Sequence, residues 1–386
     1  MTLARKNQVC LEATPYYHLM NRCVRRSFLC GYDKLTKTDY SHRKQWILDR
    51  IKYLVDSFAI RVCAYAIMDN HYHLVICVDS TNAEQWTADE VLARYGRIHS
   101  TKHIRDLLDN EADLTTEQRN RIDQTIKTWR ERLMSISWFE KSLNEPIARS
   151  ANLEDKVNGR FWQGRFKSQA LLDEAALITC MAYVDLNPMR AGITNSLETS
   201  DFTSIQARMR RYLSEQNVKP MTQSKSDGSN TPKNRMERNT KASTSKKTTT
   251  NTSNTRGLSY HESSKPIDNP VFVPLVPLRD QAKARDNSFH LPISHPQYFL
   301  LLEATGRQIQ EGSSGNLHGK AIPILYHLGI NPEFWIDSLK DFEKRFPGAV
   351  GAIEAIQNYL VKLTNRCRCA GASECKALFT THAPCH

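Results

Sequence analysis

Two histidines separated by one residue, His71 and His73, lie in the stretch IRVCAYAIMDNHYHLVICV, residues 60–78. Apolar and β-branched residues fill both arms of this stretch. Asp69-Asn70 stands between them, which predicts two strands joined by a tight turn. Side chains alternate across a strand, so His71 and His73 share a face with Val75 and Cys77. Tyr72, Leu74, Ile76 and Val78 form an apolar row on the other face, suited to packing against helices. Paired imidazoles suit a metal ion, although the same pair can simply be polar residues at a strand end. Two ligands complete no coordination sphere, so a further ligand and a reacting group must come from elsewhere.

Tyr183 and Asn187 are of the right types for those roles. They are four residues apart in EAALITCMAYVDLN, a spacing that puts them on one helical face about a turn from each other. Asn187 would add an oxygen ligand to two imidazoles. A phenol beside a metal ion is a nucleophile able to form a covalent bond to phosphorus. Ordinary packing is the alternative for Tyr183, as for most of the fourteen tyrosines. Cationic side chains suited to phosphate contact occur in two places. Arg22, Arg25 and Arg26 cluster at the end of YYHLMNRCV, where a solvated loop is the alternative. Arg160, Arg165 and Lys167 lie in GRFWQGRFKSQALL.

The elements that must position these groups are legible in outline. Residues 16–24 predict a strand. Trp46, Ile47, Ile51, Leu54, Val55 and Phe58 recur at helical spacing, with Asp39 or Ser41 as cap. After the paired strands, residues 87–99 predict a helix with Thr87 as cap, and the charged residues 100–150 further helix. A strand or hairpin begins at Gly159. Asp173 then caps a helix that Pro188 ends, because the residue before a proline avoids helical geometry. Strand, helix, strand, strand, helix, strand, helix is the order of an α+β fold. The expected form is a ferredoxin-like antiparallel sheet with helices on one face and an open second face for the Tyr183 helix to cross.

The chain has 386 residues, enough for two domains, and its 53 Lys and Arg against 41 Asp and Glu give a net charge of +12. That balance favours a polyanionic partner such as nucleic acid. The expected organisation is a catalytic domain over residues 1–214, a disordered basic linker over 215–265 and a mainly helical extension over 266–386. The linker's core, residues 219–259, has no aromatic residue and is mostly Ser, Thr, Asn and Lys. Further on, PVFVPLVPL reads as an extended approach, and helices are expected over 298–311, 322–328, 332–346 and 352–364. The terminal Cys367, Cys369, Cys375, His382, Cys385 and His386 lack the paired spacing of common zinc modules, and frayed thiols are the alternative. No apolar leader and no run of about 18 apolar residues is present, so the expectation is a cytoplasmic protein with reduced cysteines and no membrane partner.

The blocks PYYHLMNRC, AYAIMDNHYHLV, RFWQGRFKSQ and MAYVDLNPMRAGI, in that order over roughly residues 10–210, resemble the HUH single-tyrosine transposases. They look most like the relatives associated with repetitive extragenic palindromic elements. The resemblance implies that His71 and His73 are the histidine pair, with Tyr72 in the bulky apolar slot between them. That slot is usually aliphatic, so the hydroxyl is a mild departure on the side facing the core. It further implies Tyr183 as nucleophile, Asn187 as third ligand and Mg²⁺ or Mn²⁺ as the cofactor. The implied partner is single-stranded DNA carrying hairpin or palindromic elements, with a homodimer possible. The implied reaction is strand cleavage and rejoining through a 5′-phosphotyrosine, without ATP. The segment from His290 through FPGAVG, residues 290–351, also looks like the tail of larger family members, with no role that carries over. Two alternatives stand beside this: a DNA-binding protein derived from a transposase but no longer catalytic, and a metal-dependent nuclease that uses water.

Overall fold

The computed structural model describes residues 8–24, 28–34, 36–109, 114–217, 273–281, 289–312, 317, 319–363 and 371–379. The expected linker core at 219–259, Arg25 and Arg26, and Cys367, Cys369, His382, Cys385 and His386 all lie outside the described residues. Cys375 lies within them, buried on a short helix, Ala372–Leu378.

Strand β1 (Tyr16–Arg22) runs through the middle of a five-stranded mixed sheet. It is followed by α1 (His42–Val55), the hairpin strands β2 (Ile60–Ile67) and β3 (His71–Val78), and the helices α2 (Thr116–Leu133) and α3 (Ile136–Glu154). Strand β4 (Lys167–Leu171) leads into α4 (Glu174–Asp185). Much later in the chain come α5 (His295–Gln310), α6 (Pro332–Lys340), α7 (Phe342–Arg345) and the two-residue strand β5 (Ala349–Val350). The sheet order is β2-β3-β1-β4-β5. Its first four strands pair antiparallel in the expected ferredoxin-like arrangement, and β5 joins β4 in parallel.

The predicted alternation holds along β3. Tyr72, Leu74, Ile76 and Val78 belong with Tyr17, Leu19, Ile47, Ile51, Phe139 and Leu143 to the core between the sheet and the α1, α2 and α3 layer. Val75 and Cys77 belong to a second core on the opposite face. A bulge between Val62 and Ala64 resets the alternation of β2, so that Val62 and Tyr65 both face the first core.

The second face, expected to be open, is crossed by α4 and then covered again. Every residue of α4 from Ala176 to Asp185 is buried, as befits a helix apolar on all sides. Its outer side packs with residues of the C-terminal region, among them Leu302, Trp335, Ile336 and Phe342. Asp173 caps α4 as expected, accepting from Ala176 N at 2.8 Å. Its second carboxylate oxygen accepts from Ala352 N at 2.7 Å, which ties the cap to the C-terminal region.

The C-terminal region also closes both edges of the sheet. Val276 N donates to Val62 O at 2.8 Å beside β2, and β5 lies along β4. Pairing of this kind removes exposed edge strands. Among the described residues, no helix is long and apolar enough to cross a membrane.

Two expected helices are interrupted. The Tyr183 helix stops at Asp185, and a four-residue helix Asn187–Arg190 opens with Pro188 in its first turn, where a missing N–H costs nothing. The expected helix over 332–346 breaks at Asp341 (φ −130°, ψ 38°) into α6 and α7.

Candidate active site

The second face of β1, β3 and β4 carries a row of polar side chains fixed by strand register. Met20 pairs with His73 and Arg22 with His71 across β1 and β3, and His18 pairs with Gln169 across β1 and β4. His18 therefore stands diagonal to His73, within reach across the ladder. Its Nε2 lies 2.9 Å from His73 Nδ1, and its Nδ1 lies 2.5 Å from Gln169 Oε1. The His71 and His73 rings meet edge to face with centroids 4.9 Å apart. His71 Nδ1 lies 2.6 Å from Asn70 Oδ1.

Helix α4 brings Tyr183 onto this row within the same chain. Its ring meets His73 edge to face at 5.5 Å and His18 at 5.9 Å. Phe342 of α7 stacks on it at 4.9 Å, and the Arg190 guanidinium lies 4.5 Å from its centre. The Tyr183 hydroxyl donates to Glu343 Oε1 at 3.1 Å. The same carboxylate oxygen is 3.8 Å from His73 Nε2, a fully buried atom that makes no hydrogen bond among the described residues.

Burial sets the protonation states. It holds the His73 and His18 imidazoles below their ordinary value, and for His73 the neighbouring His71, His18 and nearby arginines add to the effect. His71 is pushed down to about 3 by burial, then by Arg22 and Arg190. All three are thus neutral at neutral pH, the state in which imidazole offers a lone pair. Burial also raises the Tyr183 phenol, Glu343 raises it further, and Arg190 opposes the rise. The phenol is protonated.

The other sequence-derived residues are placed as follows. Asn187 is buried at the start of its short helix, and among the described residues no hydrogen bond or ring contact joins it to either histidine. Arg165 and Lys167 are exposed and line a cleft of about 680 Å³ that also touches Phe166, His18, Gln169 and Glu343. Arg160 is exposed in the loop before β4, and Arg22 ends β1 opposite His71. Tyr72 lies on the far face, where its hydroxyl donates to Glu140 at 2.7 Å and Asn144 at 3.0 Å. Among the described residues, no group of three His, Cys, Asp or Glu is arranged as a metal site.

Sequence reasoning passed over His18, Gln169, Arg190, Phe342 and Glu343. His18 and Arg190 sit inside the blocks PYYHLMNRC and MAYVDLNPMRAGI, so their signal was present but unread. Gln169 could be found only from the register of β1 and β4. Nothing local in the sequence marks Phe342 or Glu343.

No family model matches the chain, and no curated protein matches it. Among solved structures, the chain is similar to one of a REP-associated tyrosine transposase bound to a REP hairpin. The identity is 12% and the TM-score 0.28, over 55% of this chain and 88% of that chain.

Proposed function

We propose that this chain cleaves and rejoins single-stranded DNA through a covalent 5′-phosphotyrosine on Tyr183. The observation that carries the reading is the contact of Tyr183 with His73, a phenol and an imidazole whose ring centres lie 5.5 Å apart between helix and sheet. A second support is the chemistry of the pair. His71 bonds Asn70 through Nδ1, so its Nε2 is available, and His73 Nε2 is buried without a hydrogen bond among the described residues. Two neutral imidazoles are donors that suit a divalent ion completed by phosphate oxygens and water.

His71, His73 and, by resemblance, Asn187 would hold Mg²⁺ or Mn²⁺, which when bound supplies Lewis-acid polarisation of the scissile phosphate. Arg165 and Lys167, with Phe166 between them, would guide the strand along the cleft beside His18 and Glu343. The Tyr183 oxygen forms a bond to phosphorus as the bond from phosphorus to the 3′-oxygen breaks. The phenol loses one proton and the 3′-oxygen gains one, so the phosphodiester energy is kept in the tyrosyl ester. Attack by another 3′-hydroxyl reverses the step and joins strands without ATP. Palindromic hairpin DNA as the substrate, and a homodimer as the working unit, belong to the same reading and rest on the resemblance of the sequence blocks.

The test is a denaturing gel of the full-length protein with a labelled single-stranded oligonucleotide pool and Mn²⁺. A band shifted by the mass of the protein supports the reading. Cleaved DNA with no covalent band would indicate water as the nucleophile. DNA binding with neither product would indicate a binding protein.

A further inference from the structure

The structure assigns to His18 and Gln169 the role of fixing which nitrogen of His73 carries the proton, so that the lone pair is left on Nε2, the atom 3.8 Å from Glu343 Oε1. This rests on the reading above, in which His73 Nε2 is a metal ligand.

The direction of the hydrogen bonds follows from one atom that cannot be ambiguous. Gln169 Nε2 bonds the backbone carbonyl of Phe346, and a carbonyl oxygen only accepts. The amide nitrogen of Gln169 is therefore the end turned to Phe346, and its Oε1 is the end turned to His18. That oxygen also only accepts, so His18 Nδ1 carries a proton and donates across 2.5 Å. His18 is buried with one ring nitrogen on a neutral amide oxygen and the other on a ring nitrogen, and no carboxylate bonds it among the described residues, so the ring is neutral and its Nε2 is a lone pair. The nitrogen facing it at 2.9 Å, His73 Nδ1, must then be the donor. A neutral imidazole protonated on Nδ1 has its lone pair on Nε2. That is the buried atom without a hydrogen bond among the described residues, 3.8 Å from Glu343 Oε1.

The relay thus begins at a carbonyl of the C-terminal region and ends in a lone pair aimed at the candidate site. Partners of this kind behind a ligating histidine fix its tautomer and ring orientation, and losing one costs about ten- to a hundredfold in metal affinity. His18 and Gln169 are positioning residues, acting through His73.

The experiment is ¹⁵N NMR of the histidine rings in full-length protein freed of metal by EDTA, with His73 assigned by its absence in His73→Ala. The expected result is protonation of His73 on Nδ1. In His18→Leu, which cannot accept, the proton should move to Nε2 and Mn²⁺ affinity should fall about ten- to a hundredfold. In His18→Gln, whose amide oxygen can accept from Nδ1, both should return toward the unmodified protein. Protonation of His73 on Nε2 in the unmodified protein would overturn the inference, whether or not DNA is cleaved, and this reading needs no His18 variant to fold. Nδ1 protonation together with absence of any tyrosyl-DNA adduct would support the relay while overturning the proposed strand chemistry.

Discussion

The Tyr183 hydroxyl and Glu343 Oε1 are joined by a 3.1 Å hydrogen bond between residues 160 apart in sequence. Glu343 also stands 3.8 Å from His73 Nε2, so one carboxylate oxygen faces both the candidate nucleophile and the candidate ligand. A phosphate reaching Tyr183 must come close to that negative charge. The repulsion between two charges a few ångströms apart, partly screened by solvent, is on the order of 1 kcal/mol. Glu343→Gln should therefore strengthen binding of single-stranded DNA about fivefold in EDTA, read by anisotropy of a labelled oligonucleotide. Equal affinities would mean that no phosphate approaches Glu343.

Tyr183→Phe removes one oxygen from a ring held by stacking with Phe342 and by Arg190. The contacts of the ring survive, so the fold and DNA affinity should change little. The covalent adduct should disappear altogether. An adduct of undiminished yield would move the nucleophile elsewhere. Tyr72 and Tyr65 are poor replacements, because both are buried in the core on the opposite face of the sheet.

His71→Ala and His73→Ala should each abolish metal-dependent cleavage, since each deletes one of two imidazole donors. Asn187→Ala should be milder and partly restored by excess Mn²⁺, because water can replace an amide oxygen. EDTA should stop cleavage by the unmodified protein. Cleavage that continues at full rate in EDTA would remove the metal from the mechanism.

Residues 219–265 hold ten Lys or Arg and three acidic residues, a net of 10 − 3 = +7. Each cation that neutralises a phosphate releases counterions, at about 0.7 in the salt slope for single strands. Replacing these ten residues with Gln should leave adduct formation intact and make the slope of log affinity against log salt shallower. Identical slopes would place this segment away from DNA.

The local rules served well where one element decides the outcome. Period-two alternation put His71 and His73 on one face of β3, and Asp173 announced the start of α4. Pro188 announced its end, although the chain resumes helical geometry at Asn187 and so separates that residue from the Tyr183 helix. What stayed hidden depends on elements that are distant in sequence. Gln169 meets His18 only through the register of β1 and β4, and Glu343 meets Tyr183 only because α7 packs on α4. The apolar composition of α4 carried a signal of its own. A helix apolar on all sides needs cover on two sides, and one sheet face provides only one.

That second cover sets the outcome expected for a chain stopped after Leu213. Such a chain keeps β1 to β4, both histidines and Tyr183, which by sequence make up the expected catalytic domain. It loses Trp335, Ile336, Leu339, Phe342 and Phe346, all fully buried in the core that contains α4. It also loses the Phe346 carbonyl bound by Gln169 and the Ala352 amide bound by Asp173. Burying one large apolar side chain contributes about 1.5–3 kcal/mol, and a typical protein is stable by only about 5–15 kcal/mol. Removing five such side chains from the core that contains α4 takes away about 7.5–15 kcal/mol, as much as the whole margin. The truncated chain should lose its near-ultraviolet circular dichroism and its cooperative urea transition, and form no adduct. Restoring residues 266–386 with the basic segment kept as Gln-substituted spacer should recover all three. A truncated chain that unfolds cooperatively and still captures DNA would show that α4 holds Tyr183 against the sheet without its outer layer.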